Sequence, residues 1–210
     1  MNHVSRILSL GLIAVAVALP AQAARPTYSY LDLAYVDTQF KDAAGNEAEA
    51  DGGRFNFNVS LQNWMYFTGE YNHVDFDNSS IQLRDTSLGL GAHTLGRDLQ
   101  FFAAATYESA YVFGSGETEE GYATQFGLRW PVMESIEVGA DAKFVDFGGG
   151  NRDERYRLTV QGRLSPTWST IATYQAVDRP GVTETDFTIG FRAYFFTQYD
   201  LPPRRTSSKP

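Results

Sequence analysis

From Ala24 to about Phe196 the chain alternates apolar and polar residues, and few folds can use that period. In residues 54–62, Phe55, Phe57, Val59 and Leu61 alternate with Arg54, Asn56, Asn58, Ser60 and Gln62. An extended strand turns successive side chains to opposite faces, so one face here is greasy and the other polar. The pattern recurs at Phe101 to Tyr107, with Phe102 on the polar side, and at Tyr122 to Trp130, Ile136 to Phe144, Tyr156 to Leu164 and Phe187 to Phe195. A further strand near 64–74 turns Met65, Phe67, Gly69 and Tyr71 to its apolar face, while 27–37 and 168–177 are apolar on both faces. Around residue 80 the phase slips, Ile81 and Leu83 falling out of step with Leu88, Leu90 and Ala92. That slip reads as a bulge, or as a strand running on past a membrane.

The N-terminus has a different layout. Arg6 precedes an apolar run from Ile7 to Leu19, then Pro20 and Ala21-Gln22-Ala23. This is the pattern of a secretory signal peptide, residues 1–23, cleaved after Ala23. The run is short of the ~20 residues a membrane helix needs, and no later stretch is long and apolar enough to serve. The chain has no cysteine, so no disulfide framework holds it. With 43% apolar and 14% aromatic residues it is not a disordered polymer, and a net charge of -8 argues against nucleic acid as a partner. A β-barrel fits, because its strands need only ~9–11 residues of alternating polarity.

The connections set a topology. Short ones fall at 63–64, 94–98, 131–135 and 165–167, and longer polar ones at 38–53, 75–79, 112–121, 146–154 and 178–186. Long and short alternate, which joins ten strands and leaves both termini on the short-turn side. Bacterial outer-membrane barrels have short periplasmic turns and longer external loops. The expected fold is therefore all-β: a single antiparallel up-and-down transmembrane β-barrel of ten strands (eight as the alternative) over 24–196, with a polar periplasmic tail at 197–210.

The signal peptide, the amphipathic strands and the closing strand Phe187-Thr-Ile-Gly-Phe-Arg-Ala-Tyr-Phe195 resemble the small bacterial outer-membrane β-barrel proteins of the porin-like superfamily. The opening Tyr28-Ser-Tyr30-Leu-Asp-Leu-Ala-Tyr35 is similar to a group of such barrels in proteobacteria. The resemblance implies outer-membrane lipid and lipopolysaccharide as surroundings. It also implies that the barrel-assembly machinery reads the closing-strand aromatic Phe195. Family members usually end there, whereas this chain continues through Leu201-Pro-Pro-Arg-Arg205 to Pro210, a tail that cannot be a strand.

Charge divides with the topology. The long connections carry most of the acids, from Asp37 to Asp186, with Lys41, Arg152 and Arg179 as their bases. The polar strand faces carry Asp32, Glu70, Asp85, Glu108, Glu137 and Asp141 against Arg54, Arg129, Lys143, Arg155, Arg157, Arg163 and Arg192. Charges in a narrow lumen are costly unless paired, so near balance predicts a salt-bridge network. Eight strands are just filled by their side chains, and ten leave little more room, so a plugged or very narrow lumen is expected. Acidic external loops suit divalent cations that bridge to lipid phosphates, or simply solvation.

Enzyme signatures are sparse. His73, Asp75 and Asp77 fall at alternate positions leading into a long connection, a pattern that can activate water or hold a metal, with Asp146 or Asp153 as distant acidic partners. His93 falls toward a short turn and lacks a His-x-Ser context, and no Gly-x-Ser-x-Gly elbow occurs. Gly148-Gly149-Gly150 and Gly114-Ser-Gly116 are not followed by Lys-Ser/Thr and read as loop tips, not phosphate loops. No motif requires a cofactor. Tyr28, Tyr30, Trp64, Tyr66, Trp130, Trp168, Phe195 and Phe196 gather near the short turns as an interfacial girdle would. The functional expectation is a non-enzymatic surface barrel, structural, adhesive or a small porin-like channel. Its rivals are a hydrolase centred on His73 and Asp75 and a soluble lipocalin-like binder, the latter opposed by the uncharged apolar faces.

Overall fold

The computed structural model describes residues 28–77, 81–95, 99–113 and 117–195. Strands follow in chain order: Tyr30–Asp42 (β1), Glu47–Gln62 (β2), Met65–Phe76 (β3), Gln82–His93 (β4), Gln100–Phe113 (β5), Glu117–Met133 (β6), Ile136–Gly148 (β7), Asn151–Arg163 (β8), Trp168–Arg179 (β9) and Val182–Tyr194 (β10). Each pairs antiparallel with its neighbours, and β1 closes on β10, so the sheet is one closed ten-stranded barrel, not the eight-stranded alternative. Closure pairs the backbone groups of the wall and leaves no sheet edge, the condition for a strand protein in hydrocarbon. Following paired residues from Ala34 in opposite directions reaches Glu119 one way and Pro131 the other, a stagger of about 12 residues. Ten strands at ~4.8 Å with the matching tilt of ~40° give a backbone radius of roughly 10 Å.

The alternation becomes inside and outside. Leu33 is 70% exposed, and Leu158 and Phe191 are each 57% exposed, while Asp32 is 2% and Asp186 0% exposed. A greasy exterior around a charged interior inverts a water-soluble barrel and is the arrangement of a wall set in lipid. Two aromatic belts bound the apolar band. Trp64, Trp130 and Trp168 face outward at one end, and Tyr35, Tyr71, Tyr107, Tyr122, Tyr156 and Tyr174 at the other. Tyr28, Tyr30 and Tyr66 do not join the lower belt as the sequence suggested. They lie on the lumen side, where Arg129 sits against the Tyr28 and Tyr30 rings, Arg192 against Tyr30, and Tyr66 beside Tyr28. Phe196, the signal peptide and the tail lie outside the described residues.

The long connections expected from polarity are mostly strand. β1 runs on to Asp42 and β2 begins at Glu47, so 38–53 contracts to a tight tip at residues 43–46. The same holds at 146–154 and 178–186, where turns of positive-φ glycine (Gly149, Gly150, Gly181) join strands that continue past the tyrosine belt. At the first tip the Asp42 carboxylate accepts the N–H groups of Ala44 (2.9 Å) and Asn46 (2.8 Å) and the Asn46 amide (2.7 Å). The Asn46 side-chain bond above all holds that carboxyl below its usual range. On the other side, β6 runs to Met133, shortening the connection placed at 131–135.

The phase slip near residue 80 is not a bulge. β4 pairs without a break to both β3 and β5. Leu83 points inward and packs with Val36, Ala50 and Val74, beside Phe40 and Phe76. The pleat is regular, and the inner face itself turns apolar on this side of the outer end. True register shifts occur at Ser60/Gln62, Pro131/Met133 and Asp146/Gly148.

Candidate functional site: the lumen

Every member of the charged set expected in the lumen is on the inner face, and the structure brings them together in stacked layers. In the middle, Arg157 of β8 reaches Glu70 of β3, with Nη1 to Oε2 at 3.0 Å and Nη2 to Oε1 at 3.4 Å, while its Nε donates to Gln175 at 3.1 Å. β3 and β8 are diametrically opposed in the ring, so this pair is a strut across the lumen. Beside it Gln125 donates to Asp141 at 2.7 Å.

One layer outward, Lys143 meets Glu108 at 2.8 Å, and Ser87 and Thr106 also donate to that carboxylate. Arg54 donates to Asp186 at 2.7 Å, and Thr38 (2.9 Å) and Gln175 (2.8 Å) complete its shell. Above these lies a second crossing. Asp85 of β4 faces Arg179 of the opposite strand β9 at 3.6 Å and Arg155 at 3.9 Å. Arg179 also meets Asp153 at 3.3 Å and Glu184 at 3.0 Å, and Arg155 meets Asp153 at 2.9 Å.

Asp153, Arg179, Glu184 and Asp186 were assigned to loops by sequence and are instead inner-wall residues. Parity held the signal: Asp153 is in phase with Arg155 and Arg157, and Glu184 and Asp186 with Thr188 and Arg192. What hid it was the polarity of the outward neighbours above the membrane band, which made these stretches look like loops. With Arg179 as a further base and Asp153, Glu184 and Asp186 as further acids, the inner-wall network extends further outward than the strand faces read from sequence.

The short-turn end is closed by rings and guanidiniums. Arg192 forks onto Asp32 (2.7 and 2.8 Å), donates to Gln161 (3.0 Å) and lies 3.7 Å from the Tyr30 ring centre. Arg129 donates to Glu137 at 2.6 Å beneath the Tyr28 ring, and Arg163 stacks on Tyr194. Two glycines make room for large rings. Tyr66 lies over Gly91 and Phe102 over Gly127, each its cross-strand partner, so closely that a Cβ on either glycine would enter the ring. This accounts for Phe102 on the polar face. Among the described residues a chamber of about 120 Å³ runs from Tyr28 and Arg129 past Glu70 and Arg157 to Arg54 and Lys143.

The His73 constellation is not in this lumen. His73 and Asp75 face outward on β3, with Nε2 to Oδ2 at 3.6 Å, and His73 sits opposite Gly53 and Arg84. Asp77 lies past the strand end, its N–H donating to the Glu49 carbonyl at 2.9 Å. Asp146 is taken by Arg152 and Asp153 by Arg155, so neither forms an acidic pair facing His73. Among the described residues no group of three His, Asp or Glu is arranged to hold a metal ion. On the same outer face Asp37, Asp51 and Asp75 are direct cross-strand neighbours, a row of like charges that opposes pairing unless screened.

No protein-family model matches the chain, and no curated protein is similar to it in sequence. Solved structures with likeness to it include the following three. Neisserial surface protein A is 12% identical (TM-score 0.42), covering 80% of this chain and 98% of its own. The KdgM porin solved with disordered oligogalacturonate is 12% identical (TM-score 0.45), covering 79% and 99%. The attachment invasion locus protein of Yersinia pestis is 10% identical (TM-score 0.42), covering 80% and 100%.

Proposed function

We propose that this protein is an integral outer-membrane barrel with a closed lumen, acting as a structural surface protein and not as a channel. The observation that carries this reading is the pair of cross-lumen struts, Arg157 to Glu70 and Arg179 to Asp85, with a cavity of about 120 Å³ around the first of them. A porin needs a continuous aqueous path, and these paired side chains occupy the bore. The projecting strands form an acidic crown whose Asp37, Asp51 and Asp75 row divalent cations would screen against lipopolysaccharide phosphates. In this reading the signal peptide directs export, both termini lie on the periplasmic side, and the assembly machinery reads the strand ending at Phe195. The hydrolase reading is not favoured, because among the described residues His73 stands opposite Gly53 and Arg84, with Asp75 as its carboxylate neighbour and no acidic pair facing it. Membrane extraction tests the location: the protein stays with the membrane fraction in urea and high salt, and release by either would refute the reading.

A further inference from the structure

Ahead of β1, Tyr28 and Ser29 turn into the lumen mouth. Ser29 is fully buried and Tyr28 is 3% exposed. The Ser29 carbonyl accepts the Phe195 N–H at 3.1 Å and its Oγ accepts the Ser60 N–H at 3.1 Å, which anchors the dipeptide to the strands on both sides. The Tyr28 ring lies flat on His93 (centroids 3.8 Å, interplanar 2°), 4.9 Å from Tyr66, with the Arg129 guanidinium 4.9 Å from its centre. Tyr28 and Arg129 line the chamber at this end, and it runs up past the Arg157–Glu70 pair to Arg54 and Lys143.

We propose that the Tyr28 ring is a removable stopper, and that the chamber exchanges small polar solutes with the short-turn side when this ring swings out. The ring is held by stacking on His93 and Tyr66 and by Arg129, and Tyr28 precedes the paired residues of β1. Local opening there breaks few contacts compared with opening the wall. The solutes are small, neutral and polar, because the chamber is about 120 Å³ and most of its charges already have partners on the wall. This goes beyond the closed-barrel reading, since entry from one end and conduction through both are measured separately.

The chain contains no cysteine, so a single introduced thiol is an unambiguous reporter. Thr173→Cys places one on the chamber wall, and Val145→Cys one at the level of the outer crossing, opposite Asp153. The probe is neutral methyl methanethiosulfonate, added to the full-length folded protein in vesicles, with labelling followed by mass. Tyr28→Ala is expected to speed labelling at Thr173→Cys roughly tenfold or more. Tyr28→Phe, which keeps the ring, stays slow. Tyr28→Leu gives an intermediate rate and guards against failure of the alanine variant to fold. Equal rates with and without the ring, a Tyr28→Phe rate as fast as Tyr28→Ala, or parallel acceleration at Val145→Cys would each overturn the proposal.

Discussion

Arg157 of β8 and Glu70 of β3 stand on opposite walls of the barrel and meet at 3.0 Å. A salt bridge between diametrically opposed strands does two things at once. It braces the wall against flattening, and it occupies the axis that a solute would follow. Burying two charges is costly, so the pair holds only because Gln175 and the surrounding layers complete its hydrogen bonding.

Breaking this pair from one side is more harmful than replacing it. Glu70→Ala leaves a guanidinium unpaired in the lumen and is expected to destabilise the barrel by about 3 kcal/mol in guanidinium unfolding from vesicles. Replacing both partners, Glu70→Leu with Arg157→Met, recovers most of that loss. If the double variant is no more stable than Glu70→Ala, the cost lies in packing and not in an orphaned charge.

The ring over Gly91 yields a coupling test. Gly91→Ala drives a methyl into Tyr66 and is expected to cost ~1–3 kcal/mol. In a Tyr66→Ala background the same change costs close to nothing, because the ring that it strikes is gone. A double-mutant cycle on unfolding midpoints reads the difference, and additive costs would contradict the geometry.

The aromatic belts predict the depth of the wall. Trp64, Trp130 and Trp168 all face outward near the short turns. Their emission in vesicles is therefore quenched more strongly by lipids brominated close to the headgroup than by lipids brominated at the chain ends. The reverse order would place the tryptophans at mid-bilayer and displace the proposed band.

Strand number and antiparallel order were legible because the side-chain period of a strand is two, and parity passes directly from sequence to wall. Two kinds of feature were not. Above the membrane band both strand faces are polar, so Asp153, Glu184 and Asp186 looked like loop residues when they are wall residues. Leu83 gave the opposite error: an apolar residue on the inner face mimicked a slip in register. Polarity reports the local solvent, and it tracks the pleat only where one side is lipid and the other is the charged lumen. The strut pairings were also illegible, since partners half a turn apart depend on the stagger of the closed sheet, which no single strand encodes.

The central claim is that the paired lumen is closed, and single-channel recording in planar bilayers tests it most directly. The protein is expected to insert without producing conductance steps, while a variant lacking both crossings (Glu70→Ala, Arg157→Ala, Asp85→Ala and Arg179→Ala) opens small, steady ones. Discrete ion-selective steps from the unaltered protein would contradict the account and make it a narrow porin.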